Sequence, residues 1–366
     1  MLVINATQIK RNYSGVGVYS KKIIERIIPK WNEGKIYTQV NEFGNSPGWK
    51  IEVIRNIGRD LLRWLWIQFI LPNKLKKDDL LFSTFSESPL RCKCKTVITV
   101  HDLMPLKLSA MHSKKLNYYY RKILPKTLAN ASKVIAISKS AKKDVLECFP
   151  FINENKIVVI YNGYEKKLFN TLASSEGSRK FREKYGLGDY ILYVGRISEI
   201  KNTFTLIKAF GEIVNKVELN LVIIGRDESQ VKPKAYDYMK ENNFTERVKF
   251  IENLSENELA TAYKSARVTV LPSFSEGFGL PVIESMACGT PVIISDIGAL
   301  NEISGDAAVK FNPENYLELS EKILLLLRDK DLYNNLKQRG LKRAELFDWN
   351  KTSSLTNNVL MDVMKN

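Results

Sequence analysis

Histidine is almost missing from this sequence: its 366 residues contain two, His101 and His112. The four cysteines, at 92, 94, 148 and 288, do not pair by spacing into a disulfide framework. Cys92 and Cys94 form C-x-C, but no second ligand pair follows them, which argues against a structural zinc site. Reduced thiols in a cytoplasmic protein are the simpler expectation. No apolar run reaches the roughly 20 residues that a membrane-crossing helix needs. The opening Met1-Leu-Val-Ile-Asn-Ala lacks a basic n-region and a cleavage site, so it reads as a first strand and not as a signal peptide. A His/Asp cluster for a divalent cation is missing too.

Charge and apolar residues are plentiful. A chain of this length usually makes two domains, and 44% hydrophobic residues suffice for two cores. The net charge of +16 is placed unevenly. Residues 1–165 hold 28 Lys and Arg against 13 Asp and Glu; residues 166–366 hold 28 against 27. The first half therefore carries the field that attracts anionic surfaces, whether lipid headgroups, diphosphates or nucleic acid.

One stretch organises the rest. Residues 270–295, VLPSFSEGFGLPVIESMACGTPVIIS, read as strand, loop, helix, turn, strand. Pro281 suits a first helical turn, where its missing N–H costs nothing, and Gly289 suits a left-handed cap. A loop that feeds a helix N-terminus at the carboxyl end of a strand is where open α/β sheets bind ligands, and free first-turn amides can hold a diphosphate. Glu276 lies in the loop and Glu284 is placed in the first helical turn. Two carboxylates would repel a ligand that is phosphate alone. They suit hydroxyl groups of a sugar or ribose beside a diphosphate, which points to a sugar nucleotide.

The rest of the chain alternates strands and helices. In the first half, strands are expected at 1–9, 36–40, 51–54, 79–84, 95–100, 133–137 and 156–161. A glycine loop from Arg11 to Gly17 opens a helix over 18–28. Gly15-x-Gly17-x-x-Ser20 nearly matches a dinucleotide fingerprint, but Ser20 replaces its third glycine and no acid is clearly placed for a ribose. Residues 59–72 are strongly apolar, with Trp64 and Trp66, and are too short to span a bilayer. They read as a buried helix, or as one dipping into a membrane interface beside Arg59, Arg63, Lys74, Lys76 and Lys77. His101-Asp102 sits at a strand's carboxyl end, a place for an active-site histidine. A helix over 113–130 interleaves Tyr118, Tyr119 and Tyr120 with Lys114, Lys115, Arg121, Lys122 and Lys126, a pattern that fits membranes, phosphorylated lipids or nucleic acid. Ser138 is expected to cap a helix over 139–149. The polar residues 164–189 read as a connection that includes a short charged helix near Lys180–Tyr185.

The second half restarts the pattern, with strands at 190–194, 219–224, 248–251, 268–271, 292–295 and 308–311. Alternation of this kind implies a parallel doubly wound sheet. Gly195-Arg196 and Lys201 follow the first of these strands. Two fixed cations there could neutralise the charge that grows on a departing nucleoside diphosphate. The tail is helical, with a break at Trp349 that marks a return to the first domain.

The segment E-G-F-G-L-P-x-x-E, with Glu276 and Glu284 eight apart, resembles the paired-glutamate motif of retaining GT-B glycosyltransferases of glycosyltransferase family 4. Gly195-Arg196 with Lys201 is similar to that family's basic pair on the donor diphosphate. The glycine loop, His101-Asp102 and Val159-Ile-Tyr-Asn-Gly163 resemble it at further places. The resemblance implies two Rossmann-like doubly wound domains facing a cleft: an acceptor-binding domain over 1–165, a nucleotide-sugar domain over 186–345, and a helix over 346–366 crossing back. It implies catalytic roles for His101, Glu276, Arg196 and Lys201. Donor contacts would come from Gly15, Gly17, Phe278, Gly279, Leu280 and Glu284. It implies no metal and no cofactor beyond the nucleotide-sugar donor. No residue is an obvious covalent nucleophile, so the expected mechanism is same-face displacement assisted by the leaving phosphate. The stretch HDLMPLKLS and the GDAAVKFNP segment are closest to bacterial mannosyl- and rhamnosyltransferases of surface polysaccharide assembly.

The resulting expectation is a retaining, metal-independent hexosyltransferase, mannose-like sugars favoured. Its acceptor would be lipid-diphosphate-linked or a growing polysaccharide, and it would sit in the cytoplasm, peripherally on the inner face of the cell membrane. Two other readings compete: a basic nucleic-acid-binding module, which explains the charge but not the paired glutamates, and a nicotinamide-dependent oxidoreductase. The base and sugar of the donor carry no code legible in the sequence.

Overall fold

A computed structural model describes residues 1–9, 15–44, 46–55, 57, 60–172, 175–228 and 230–365. Arg11 to Ser14 of the glycine loop, Arg59, and Ala173-Ser174 of the connection lie outside the described residues. The chain divides into two units, Met1–Gly163 with Trp349–Asn366, and Tyr164–Asp348.

The first unit is built on seven parallel strands: β1 (Leu2–Ala6), β2 (Gly34–Thr38), β3 (Trp49–Val53), β4 (Leu80–Ser83), β5 (Lys95–Val100), β6 (Lys133–Ala136) and β7 (Ile157–Val159). Their order is β3-β2-β1-β4-β5-β6-β7, so the direction of winding reverses between β1 and β4. In register, Ile4 of β1 faces Ile36 of β2 and Phe82 of β4. Every residue of β1 and β4 is buried. Strands covered on both faces read as near-continuous apolar runs, which is why both were legible.

The last helix, Trp349–Lys365, belongs to this unit. It lies against helix Gly15–Ile27 and strands β4 and β5. Thr352 Oγ1 donates to the Tyr161 carbonyl at 2.7 Å, Trp31 Nε1 donates to Asn357 Oδ1 at 2.8 Å, and Trp349 meets the Tyr19 ring edge-on at 6.2 Å. Trp349 is itself buried, and a large aromatic of this kind contributes more to docking than any one of these hydrogen bonds.

Two helices of the first unit share an irregularity. Residues 60–74 form one continuous helix whose middle, Trp66–Ile70, is a π turn; residues 114–130 form another with a π turn at Tyr119–Ile123. Each wide turn stops two residues before a proline, Pro72 or Pro125. Proline has no N–H for the carbonyl four residues back, and its ring crowds that carbonyl. The helix widens instead, with Leu71 N–H reaching Trp66 O and Leu124 N–H reaching Tyr119 O.

The second unit has six parallel strands: β8 (Tyr190–Val194), β9 (Asn220–Ile224), β10 (Val248–Ile251), β11 (Val268–Leu271), β12 (Val292–Ser295) and β13 (Ala308–Phe311). Their order is β10-β9-β8-β11-β12-β13, and winding reverses between β8 and β11. Ile191, Tyr193, Leu221, Ile223, Val268 and Val270 form one wall of the core, with Leu206 and Phe210 from helix Thr203–Gly211 against them. Each such aliphatic side chain contributes about 1.5–3 kcal/mol by leaving water. The polar stretch after Gly163 is not a bare connection. Its helix Ser175–Tyr185 packs on helix Glu256–Ser265, with Arg182 Nη2 donating to Ser265 O at 3.0 Å and Lys184 Nζ 2.6 Å from Glu258 Oε1.

Candidate active site

In the second unit the expected residues gather at the winding reversal. β8 and β11 are neighbours there, so the loops after them, 195–202 and 272–279, leave the same edge of the sheet. The loops are tied together. Phe274 N–H donates to Ile200 O at 2.9 Å, and Asn202 Nδ2 donates to Pro272 O at 3.0 Å and Pro313 O at 2.7 Å. Asn202 is buried and left-handed, with φ of 54°. Asparagine tolerates that conformation better than most residues, and its amide holds three loops at once.

This clamp brings Lys201 to Glu276. Lys201 Nζ is 2.7 Å from Glu276 Oε1, with side chains 12% and 14% exposed, and Ser273 Oγ donates to the same oxygen at 2.8 Å. The carboxylate therefore has a fixed orientation. Arg196 behaves differently. It is half exposed and pairs with Glu228 at 2.9 Å, where solvent weakens the attraction. A ligand phosphate can take it from Glu228 at small cost, whereas Lys201 must be shared with Glu276.

Gly279 caps helix Leu280–Ala287 in the left-handed region, at φ 98°. A Cβ there would lie 2.7 Å from Leu300 Cδ2. No hydrogen bond is formed by the Gly279 or Leu280 N–H among the described residues, so both amides are open to a ligand anion. Phe278 is buried, edge-on to Phe347 at 5.8 Å. Glu284 corrects its expected place: the helix starts at Leu280, which puts this acid in the second turn. Its Oε2 accepts from Tyr263 Oη at 3.0 Å, and burial pushes the carboxyl up to about 7. Burial likewise holds the Tyr263 hydroxyl well above its ordinary range, so it stays a donor.

In the first unit the expected residues also meet at the winding reversal. His101 follows β5 and is buried; its Nε2 is 2.9 Å from the Thr84 carbonyl, just after β4. A carbonyl only accepts, so Nε2 carries the proton. Burial lowers the imidazole's pKa, which keeps the ring neutral and leaves Nδ1 as an acceptor without a partner among the described residues. Asp102 Oδ1 accepts from the Met104 N–H at 3.0 Å and shapes the loop. Gly15 begins the helix after the glycine loop, and a Cβ there would meet nothing within 4 Å; Gly17 is buried one step on. Two residues later Tyr19 packs edge-on against His101 at 4.8 Å and hydrogen-bonds Thr99 at 3.1 Å. Ser20, in the place of a third glycine, donates to Thr84 Oγ1 at 2.8 Å. The glycine-loop helix and the histidine thus share one packing unit.

Sequence reasoning missed Tyr263, Ser273, Asn202 and Thr84. Tyr263 is one of 16 tyrosines and gave no signal. Asn202 follows Lys201 directly, and Ser273 precedes the glutamate by three residues; both could have been sought as supports for the pair.

Known proteins share this chain's two halves. Residues 36–167 match the model described as Glycosyltransferase Family 4, and residues 174–343 the one described as Glycosyl transferases group 1. The O-antigen chain mannosyltransferase B of Escherichia coli is 26% identical over 267 residues, 72% of this chain and 69% of that protein. The O-antigen chain mannosyltransferase RfbU of Salmonella typhimurium is 30% identical over 253 residues, 69% of this chain and 65% of that protein. Against RfbU the chain thus spans just under two thirds of the relative's length. In fold, Anabaena HepE, solved in complex with UDP-glucose, superposes with a TM-score of 0.79 at 16% identity over 99% of both chains. These matches displace the nucleic-acid and nicotinamide readings. With both family halves present in order, two Rossmann-like parallel sheets and the paired glutamates at the second winding reversal, the chain belongs to glycosyltransferase family 4 and has its GT-B fold.

Proposed function

We propose that this glycosyltransferase moves a mannose-like sugar from a nucleoside diphosphate sugar to a lipid-linked or growing surface polysaccharide, with retention of configuration and without a metal. The observation that carries the reading is the pairing of Lys201 with Glu276 beside the open Gly279 and Leu280 amides. Sugar hydroxyls are read by a carboxylate, and phosphate oxygens by amides and cations. The mannosyltransferase names of the Escherichia coli and Salmonella relatives favour mannose, and the HepE complex supports a nucleotide-sugar donor.

In this reading the Glu284 carboxylate accepts from the ribose hydroxyls, held in place by Tyr263. Glu276 accepts from hydroxyls of the donor sugar, and Lys201 and Arg196 face the diphosphate. The Phe278, Gly279 and Leu280 backbone supplies amides to sugar and diphosphate, and the loop at Gly15 and Gly17 borders diphosphate and acceptor. His101 Nδ1 accepts from a hydroxyl of the transferred sugar. As the bond from the anomeric carbon to the phosphate oxygen breaks, negative charge grows on the leaving diphosphate, where Lys201 and Arg196 stabilise it. The acceptor hydroxyl adds on the same face, and its proton passes to the leaving phosphate oxygen. Two cations supply the charge a metal would otherwise bring, so a chelator should leave activity intact.

A thermal-shift and hydrolysis panel of GDP-mannose, UDP-sugars and dTDP-rhamnose tests the donor. A shift with GDP-mannose that Glu284→Ala abolishes supports the reading. Equal binding of the donor by Glu284→Ala and the parent would sink it.

A further inference from the structure

The helices over 60–74 and 114–130 grip one loop of the first unit from two sides. Gln68 Nε2 donates to Ser88 O at 3.0 Å, and its Oε1 accepts from Leu90 N at 2.9 Å. Arg63 forks onto Glu87 through Nε at 3.0 Å and Nη2 at 2.9 Å. From the other helix, Tyr119 Oη donates to Ser86 O and Asn130 Nδ2 to Leu90 O, both at 3.0 Å. Both helices are therefore fixed to the same short segment, residues 86–90.

The first helix is apolar on both faces. Trp66, Ile67 and Leu71 are buried with Arg63, so Trp66 is not the membrane-facing residue its sequence suggested. The opposite face shows Leu61, Leu62, Leu65, Phe69 and Ile70 to solvent, with Phe69 64% and Leu61 57% exposed. Spacings of three and four residues put them on one stripe. The second helix supplies charge. Lys114, Lys115, Arg121, Lys122 and Lys126 are exposed, and no acid occurs between 113 and 130. None of the five is in an ion pair among the described residues. Tyr119 and Tyr120 turn inward, and only Tyr118 stands out, 63% exposed.

We propose that this face rests on an anionic lipid bilayer. The Leu61–Ile70 stripe enters the boundary between headgroups and acyl chains, and the cations of the second helix lie on the headgroups. A stripe of large aliphatic side chains next to unpaired cations satisfies both parts of peripheral membrane attachment. Nucleic acid uses such cations but leaves Leu and Ile without a role, since bases stack on aromatic rings and guanidinium planes. Among the described residues no helix is long and apolar enough to cross a membrane. The proposal rests on the lipid-linked acceptor reading only for its purpose; the surface itself is independent of the donor site.

Co-sedimentation of the full chain with phosphatidylglycerol–phosphatidylcholine vesicles, and with pure phosphatidylcholine, tests it. The expected result is binding to the anionic vesicles only, falling about tenfold or more between low and high salt. Leu65→Ser with Phe69→Ser, and separately Arg121→Ser with Lys122→Ser, should each weaken it about tenfold while donor thermal shifts stay unchanged. No vesicle binding, unweakened binding by both variants, or binding to oligonucleotides in place of vesicles would overturn the proposal. Loss of donor binding alone would instead strike the function reading, so the two failures are distinguishable.

Discussion

At the scale of single residues, Glu284 shows how the site trades stability for function. Burial raises its carboxyl from an ordinary 4.5 to about 7. Between those pH values the folded chain holds a proton that the unfolded chain has released. Stability is therefore greatest below about pH 4.5 and falls as pH rises through 7. Glu284→Gln removes this dependence, so its melting temperature should gain on the parent at pH 8 and not at pH 4.5. The same variant should bind donor more weakly, because an amide cannot replace a carboxylate toward two hydroxyls. In the parent, donor affinity should weaken as pH falls below about 7, where the carboxyl protonates. A flat pH profile of donor affinity would show that Glu284 is already ionised or does not touch the donor. Tyr263→Phe removes a hydrogen bond to a charged group, worth about 1.5–3 kcal/mol, and should weaken donor binding by tenfold or more. An isothermal titration with the nucleoside diphosphate reads both variants.

At the scale of elements, glycine placement fixes how the loops leave the second sheet. Gly225, after β9, has φ of 153°, and a Cβ there would lie 1.8 Å from the carbonyl oxygen of Gly195, after β8. Gly225→Ala must push the Gly195–Lys201 loop away from its neighbour. It should lower stability by about 1–3 kcal/mol, read by urea titration, and should loosen donor binding through Lys201. An alanine variant as stable as the parent would show that the loop can yield. Much of this was legible. The motif from Glu276 to Glu284, the strand-end positions of His101 and Arg196 and the alternation of strands and helices all follow from local residue chemistry. The supports were not. Tyr263, Asn202 and Thr84 act through pairings that come from strand order, and order is set by winding that no local pattern encodes. The two-faced character of 60–74 was half legible. The apolar run was evident, but which side packs depends on Arg63 finding Glu87, 24 residues on.

At the scale of the whole chain, the two sheets repeat one plan. Each is parallel and each reverses winding once; the second keeps Lys201 and Glu276 on the loops at that reversal, and in the first His101, after β5, reaches the Thr84 carbonyl there. The charge does not repeat. The first half carries the positive excess and the second is nearly neutral. In the second unit the cations of the site are balanced by acids, Lys201 by Glu276 and Arg196 by Glu228. In the first, the cations of the 114–130 helix have no such partners among the described residues, which suits the anionic surface proposed above. This division is the one the proposed roles require, a donor handled by specific pairs and an acceptor presented at a lipid surface.

The central claim is a division of labour between two carboxylates, Glu276 for the sugar and Glu284 for the nucleotide. The most direct measurement is calorimetric titration of the parent, Glu276→Ala and Glu284→Ala with GDP and with GDP-mannose. Glu284→Ala should weaken both ligands by about tenfold or more. Glu276→Ala should weaken GDP-mannose while leaving GDP unchanged or slightly tighter, because it releases Lys201 to the diphosphate. Equal losses for both ligands in both variants, or no loss in either, would contradict the account.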